Sequence, residues 1–201
     1  MGERQSAQEG VGALVSGDGA GLGEVSPSTL RAAAAGRHEA FEAIVREYDE
    51  RLRAFAFSLM RDRNAMDDVL QDVYVKAYRA LPGFRGDSRL STWLLRITYT
   101  TCMSRLRLPP PELPLVDDGT ADEAPSPEEL VDLVHRRGQL AEALAALPPD
   151  LRACVLLVHR EGLSYREAGD VLGVRPGTVG WRLSAARRRL REALEEVRTY
   201  A

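Results

Sequence analysis

The stretch "EGLSYREAGDVLGVRPGTVGWRLSAARRRLREAL", residues 161–194, decides the fold. A short apolar-periodic segment, Ser164–Leu172, is closed by Gly173. Three or four residues later a second segment opens near Pro176, a residue suited to the first position of a helix. In that second segment Val179, Leu183, Ala186, Leu190 and Leu194 recur at the spacing of a buried helical face. At about 100° per residue, Trp181 points away from that face, into solvent. Short helix, glycine turn, basic second helix: this is the grammar of a helix-turn-helix.

The charge pattern around the motif is lopsided. The whole chain of 201 residues has a formal charge of −3. Yet Val171 to Arg191 carries six arginines and no carboxylate, whereas Glu112 to Glu129 carries seven acids and no base. The first is a nucleic-acid footprint and the second a solvated linker. The segment "LPPPELPLVDDGTADEAPSP" (108–127) holds three consecutive prolines and cannot be a packed helix. Fully stretched, twenty such residues reach roughly 60 Å.

Upstream of that boundary the pattern is again helical. Phe41, Ile44, Val45, Tyr48, Leu52, Phe55 and Leu59 form one apolar stripe. Val69, Leu70, Val73, Ala77 and Leu81 form a second, within Asn64–Leu81. "PGFRGDS" (82–88) is a turn-rich loop, and Ser91–Leu106 a third helix carrying Trp93, Leu94, Ile97 and Met103. Ser26 and Pro27 have the chemistry of a helix cap and first turn. After the linker, periodicity resumes through Leu140, Leu144 and Leu147, "LPPD" ends that helix, and Leu151–Arg160 begins another.

The expected fold is all-α, with two small helical domains joined by a flexible acidic Pro-rich linker. The boundaries read as a disordered tail over 1–29, a first domain over 30–107, a linker over 108–134 and a second domain over 135–201. Cys102 and Cys154 stand alone, and His38, His135 and His159 form no ligand spacing, so no metal or cofactor is expected. "GDGAGLGE" does not satisfy a phosphate-loop pattern, and no nucleophile and base are paired, which disfavours an enzyme. No apolar run reaches the length of a membrane span and no signal pattern opens the chain, so a cytoplasmic protein without membrane insertion is expected.

Two longer stretches carry a family resemblance. "ALAALPPDLRACVLLVHREGLSYREAGDVLGVRPGTVGWRLSAARRRLREAL" resembles the promoter-reading C-terminal domain of bacterial sigma factors. "DDVLQDVYVKAYRALPGFRGDSRLSTWLLRITYTTCMSRLR" is similar to their N-terminal domain. The order of the two, with no room for an intervening domain, is the layout of the extracytoplasmic-function (ECF) group of the sigma-70 family.

The resemblance implies a dissociable subunit that binds core RNA polymerase, recognises the −10 and −35 elements of promoter DNA and opens the strands. It implies that Asp67, Asp68, Gln71, Asp72 and Lys76 are the polar positions of the polymerase-docking helix. It assigns Arg85, Arg89, Trp93, Arg96, Tyr99, Thr100 and Arg105 to the −10 element, where unstacked bases are held by aromatic and arginine contacts. On the −35 element it assigns Arg175, Thr178, Trp181 and Arg182 to base edges, and Arg187, Arg188 and Arg189 to phosphates. An anti-sigma factor is the implied inhibitor, and the acidic linker would thread toward the polymerase channel. The two elements lie roughly 50 Å apart, within the linker's reach.

Thr100 and Ser104 stand where relatives often carry Asn and Asp, and "GTVGWRL" replaces the usual "GTVKSRL". For Trp181 three roles stay open: contact with a thymine methyl, an anchor for an inhibitor, or packing against the N-terminal domain. Two other readings compete with the sigma factor. A helix-turn-helix repressor or activator accounts for the basic helix but not for "STWLLRI". A sigma-like adaptor that has lost DNA reading has only the "GW" substitution in its favour.

Overall fold

The computed structural model describes residues 25–107 and 138–199. Most of the expected tail (residues 1–24) and the whole of the expected linker lie outside the described residues. The described residues are helical, with no strand among them, and the chain divides into two compact units.

The first unit opens with α1 (Pro27–Ala34), three residues before the boundary expected at 30. Its start is local chemistry: Ser26 Oγ accepts from Thr29 N at 3.1 Å, and Pro27 occupies the first turn. α2 (His38–Met60) follows, then α3 (Arg63–Ala80), whose Asp62 cap accepts from Ala65 N at 3.0 Å. A 3₁₀ turn at Leu81–Gly83 leads through a loop to α4 (Leu90–Leu106).

The predicted stripes of α2 and α3 meet in the core. Ile44, Leu52, Phe55 and Leu59 are buried with Leu70, Val73 and Ala77. α4 differs from expectation. It buries Leu90, Leu94, Leu95, Thr98 and Cys102, leaving Trp93, Ile97 and Met103 only half-buried. Polar and apolar residues are spread around the helix, with Ser91, Thr92, Thr98 and Thr101 on its buried side, so hydrophobicity alone does not fix its rotation. Thr98 tolerates burial because its hydroxyl donates to the Leu94 carbonyl at 2.9 Å.

Burial pushes the Cys102 thiol up to about 12 from its ordinary 9.0. In the unfolded chain the thiol ionises near that ordinary value. The stability contributed by keeping it neutral is therefore complete below pH 9 and lost as pH rises toward 12. Urea titrations from pH 8 to 11 are expected to show a shallower alkaline decline in Cys102→Ala than in the parent.

The second unit contains α5 (residues 138–146), α6 (Pro149–Val155), α7 (Tyr165–Leu172) and α8 (Pro176–Thr199). "LPPD" both ends α5 and starts α6. The expected helix Leu151–Arg160 splits here, because α6 passes into a π-helical turn over Leu156–Arg160. Arg152 is buried, and its Nη2 donates to the carbonyls of Ala145 and Leu147, both at 2.8 Å. It thereby satisfies acceptors left open at the end of α5. Leu147, Leu151, Ala185 and Ala186 form a core cluster, flanked by Leu144, Val155 and Leu190.

Candidate nucleic-acid and polymerase interfaces

In the first unit two exposed helix faces carry opposite chemistry. On α3, at about 100° per residue, Asp68, Gln71, Asp72, Val75 and Arg79 fall within roughly 60° of one line. All five are exposed. Val75, 48 % exposed, is an apolar side chain on this face that the sequence reading did not single out. Its spacing of seven from Asp68 and four from Gln71 was the available signal.

The flanking candidates are engaged within the unit. Asp67 accepts from Arg53 Nη1, and Arg53 Nε also donates to Asp49 at 3.4 Å. Tyr74 donates to the same Asp49, and burial pushes the Tyr74 hydroxyl well above its ordinary range. Lys76 Nζ donates to Thr101 Oγ1 at 3.1 Å. The free centre of this face is therefore Asp68, Gln71 and Asp72.

α4 and the residue preceding it present a different stripe. Arg89, Trp93, Arg96 and Thr100 recur at intervals of four, three and four, and Ser104 and Arg107 continue the line. Arg89, Arg96 and Thr100 are exposed. The half-buried Trp93 ring rests on Phe84, with centroids 5.2 Å apart and planes at 51°. This contact fixes the indole at the edge of the stripe. The Thr100 hydroxyl donates to the carbonyls of Arg96 and Ile97.

Three of the expected −10 residues do not join the stripe. Tyr99 lies about 120° round from Trp93 and is buried at 9 % exposure, so its ring belongs to the core. Arg105, half-buried, points about as far to the other side. Arg85 is exposed in the loop, 4.0 Å from an equally exposed Asp87.

In the second unit the helix-turn-helix is built by local rules. Ser164 and Glu167 form a reciprocal capping box: Glu167 N donates to Ser164 Oγ at 3.2 Å, and Ser164 N to Glu167 Oε2 at 2.9 Å. Gly173 takes φ +67 in the turn, a left-handed conformation that glycine adopts without a side-chain clash. Val174 N then donates back to Gly169 O at 3.0 Å. α8 buries Val179, Leu183 and Ala186 and turns Trp181 outward at 68 % exposure. Arg175, Arg187, Arg188 and Arg189 are exposed, and Thr178 is half-buried.

Arg182 is the exception among the expected base readers. Its Nη2 lies 3.4 Å from Asp150 Oδ2, with the side chain only 18 % exposed. Burial pushes the Cys154 thiol up, and the positive charge of Arg182 beside it opposes that push. The position of Arg182, about 100° round α8 from Trp181, turns it toward α6 rather than a groove. Arg182→Ala is therefore expected to lower the stability of the second unit by about 1 kcal/mol, discounted for the part-exposed partner. Asp150→Asn should reproduce much of that loss, and a thermal melt of each variant measures it.

Comparison with known proteins agrees with this division. The family described as Sigma-70 region 2 matches residues 44–108, and Sigma-70, region 4 matches residues 137–190. RNA polymerase sigma-H factor of Pseudomonas aeruginosa is 32 % identical over 171 residues, covering 80 % of this chain and 89 % of the relative. ECF RNA polymerase sigma factor SigM of Mycobacterium tuberculosis (strain H37Rv) is 35 % identical over 172 residues, covering 85 % of each.

Among solved structures, CnrH in complex with the cytosolic domain of CnrY aligns with TM-score 0.63 at 25 % identity, covering 84 % of this chain and 96 % of that one. The sigma factor RpoE in complex with the anti-sigma factor NepR, from Bartonella quintana, aligns with TM-score 0.59 at 27 % identity, covering 78 % and 98 %. With both regions matched in order and relatives similar along most of their own length, the chain belongs to the extracytoplasmic-function group of the sigma-70 family.

Proposed function

We propose that this sigma factor docks on core RNA polymerase through the α3 face centred on Asp68, Gln71 and Asp72. Arg89, Trp93, Arg96 and Thr100 of the α4 stripe then hold the opened −10 element. Arg175, Thr178 and Trp181 read the −35 element, while Arg187, Arg188 and Arg189 grip its phosphates. The observation that carries the reading is the opposition of two exposed faces in one small unit. An acid-and-amide helix suits a basic protein partner, and an arginine-and-indole helix suits displaced bases. The bond-making chemistry belongs to the polymerase.

Both solved neighbours are held by a second protein, one of them named an anti-sigma factor. An anti-sigma partner that covers the same faces fits the exposed Val75 and Trp181. No helix among the described residues is long and apolar enough to cross a membrane, and we place the protein in the cytoplasm with its polymerase. Strand opening is read by permanganate oxidation of unpaired thymines in a polymerase–promoter complex. Arg96→Ala is expected to slow opening roughly tenfold, the worth of one arginine–base or arginine–phosphate contact. Opening at the parental rate would remove the α4 stripe from the mechanism.

A further inference from the structure

Trp181 is, at 68 %, the most exposed large apolar side chain among the described residues. The residues one turn before and after Trp181 on α8 are small, Gly177 and Thr178 on one side and Ser184 and Ala185 on the other; Gly180 precedes it, and Arg182, which follows it, is turned toward Asp150. A Cβ built on Gly177 would meet nothing within 4 Å. The Ser184 hydroxyl is folded back onto the Gly180 carbonyl at 3.0 Å. The indole therefore stands alone as a knob, and the helix backbone on either side of it is free to approach a surface closely.

A second ring sits next to it. Tyr165, from the first helix of the motif, is 43 % exposed, and its Cε2 lies 3.6 Å from where a Gly180 Cβ would be. Because residue 180 has no side chain, the phenol packs on the helix backbone and nothing long rises between it and the indole. Along the recognition helix that carries the indole, the charge has one sign: Arg175, Arg187, Arg188 and Arg189 are exposed, and no carboxylate occurs from Val171 to Arg191. Such a positive field selects a polyanion over an uncharged protein pocket.

An apolar knob in an arginine field on a recognition helix has one apolar target on the base edges of a major groove, the thymine C5-methyl group. Building on the sigma-factor function proposed above, we propose that Trp181 is a specificity-determining residue that selects thymine at one position of the −35 element by packing its indole on that methyl. Gly177, Gly180 and Ser184 let the backbone come close enough for the contact. Arg187, Arg188 and Arg189 set affinity, and Trp181 sets the preference for thymine at its position.

The test uses the full chain bound to core RNA polymerase. Wild-type holoenzyme first selects active promoters from a library randomised over the −35 element. Each thymine of a selected element is then replaced in turn by deoxyuracil, which removes only the methyl. At one position the wild type should lose about four-fold in open-complex formation, the worth of one buried methyl group. Trp181→Ser should transcribe thymine and uracil templates equally, Trp181→Phe should keep part of the difference, and both should melt like the parent because the side chain is exposed.

The proposal is overturned if no thymine is methyl-sensitive in the wild type. It is equally overturned if Trp181→Ser keeps the full sensitivity, which would assign the ring to a protein contact. Failure of the wild type to transcribe from any library member would overturn the sigma-factor reading itself, and this inference with it.

Discussion

Asp68→Arg combined with Asp72→Arg is expected to weaken binding to core RNA polymerase by roughly a hundredfold while leaving the melting temperature of the chain almost unchanged. Both carboxylates are exposed at the centre of the α3 face. Neither is paired with another side chain among the described residues, so their removal leaves no buried charge unpaired. Against a basic partner, each reversal replaces attraction by repulsion, and losses of 2–5 kcal/mol are typical when paired interface charges are broken. Asp67→Arg is the informative contrast. It would set two arginines against each other at the Arg53 position, so it should lower stability as well as binding. Pull-down titrations with core polymerase, run beside thermal melts, distinguish the two patterns. Equal polymerase affinity for the double variant would place the docking face elsewhere.

Gly169→Val is the second large effect, and it acts on folding. A Cβ at residue 169 would lie 2.7 Å from the backbone oxygen of Val174 and 3.6 Å from Pro176 N. Both neighbours are main chain in the turn between α7 and α8, so no flexible side-chain end can swing aside. Relief requires the two helices of the motif to separate, and overpacking of this kind costs about 1–3 kcal/mol, toward the upper end for a β-branched residue. In a unit this small that is a drop of roughly 10 °C or more in its melting transition. Transcription from a −35-dependent promoter should fall in parallel. Melting by circular dichroism checks the first outcome. An unshifted transition would mean that the close approach of α7 and α8 is not a fixed part of the fold.

Much of the fold was legible because its signals are local and periodic. The stripes of α2 and α3 identified core residues, among them Phe55, Leu70 and Val73, and Ser164, Gly173 and Pro176 punctuated the helix-turn-helix where the structure has it. The outward turn of Trp181 followed from its offset from Val179 and Leu183.

What was not legible depended on tertiary contacts. α4 mixes polar and apolar residues around its circumference, so only packing against α2 and α3 decides that Tyr99 and Cys102 turn in while Trp93 stays at the edge. Arg182 looked like one more arginine of a basic helix; its role was set by Asp150, 32 positions earlier. Likewise Arg53, in a different helix, engages Asp67 at the edge of the proposed docking face. Charge and spacing along one helix therefore picked out the exposed faces, while partners on neighbouring helices decided which of their side chains remain available.

Run-off transcription by core RNA polymerase supplied with the purified full chain tests promoter recognition by this sigma factor most directly. A promoter obtained by selection is used in three forms: intact, with the −35 element scrambled, and with the −10 element scrambled. A transcript is expected from the intact template alone, appearing only when the chain is added. A chain that binds the promoter yet never brings core polymerase to it, or a transcript indifferent to both elements, would contradict that expectation.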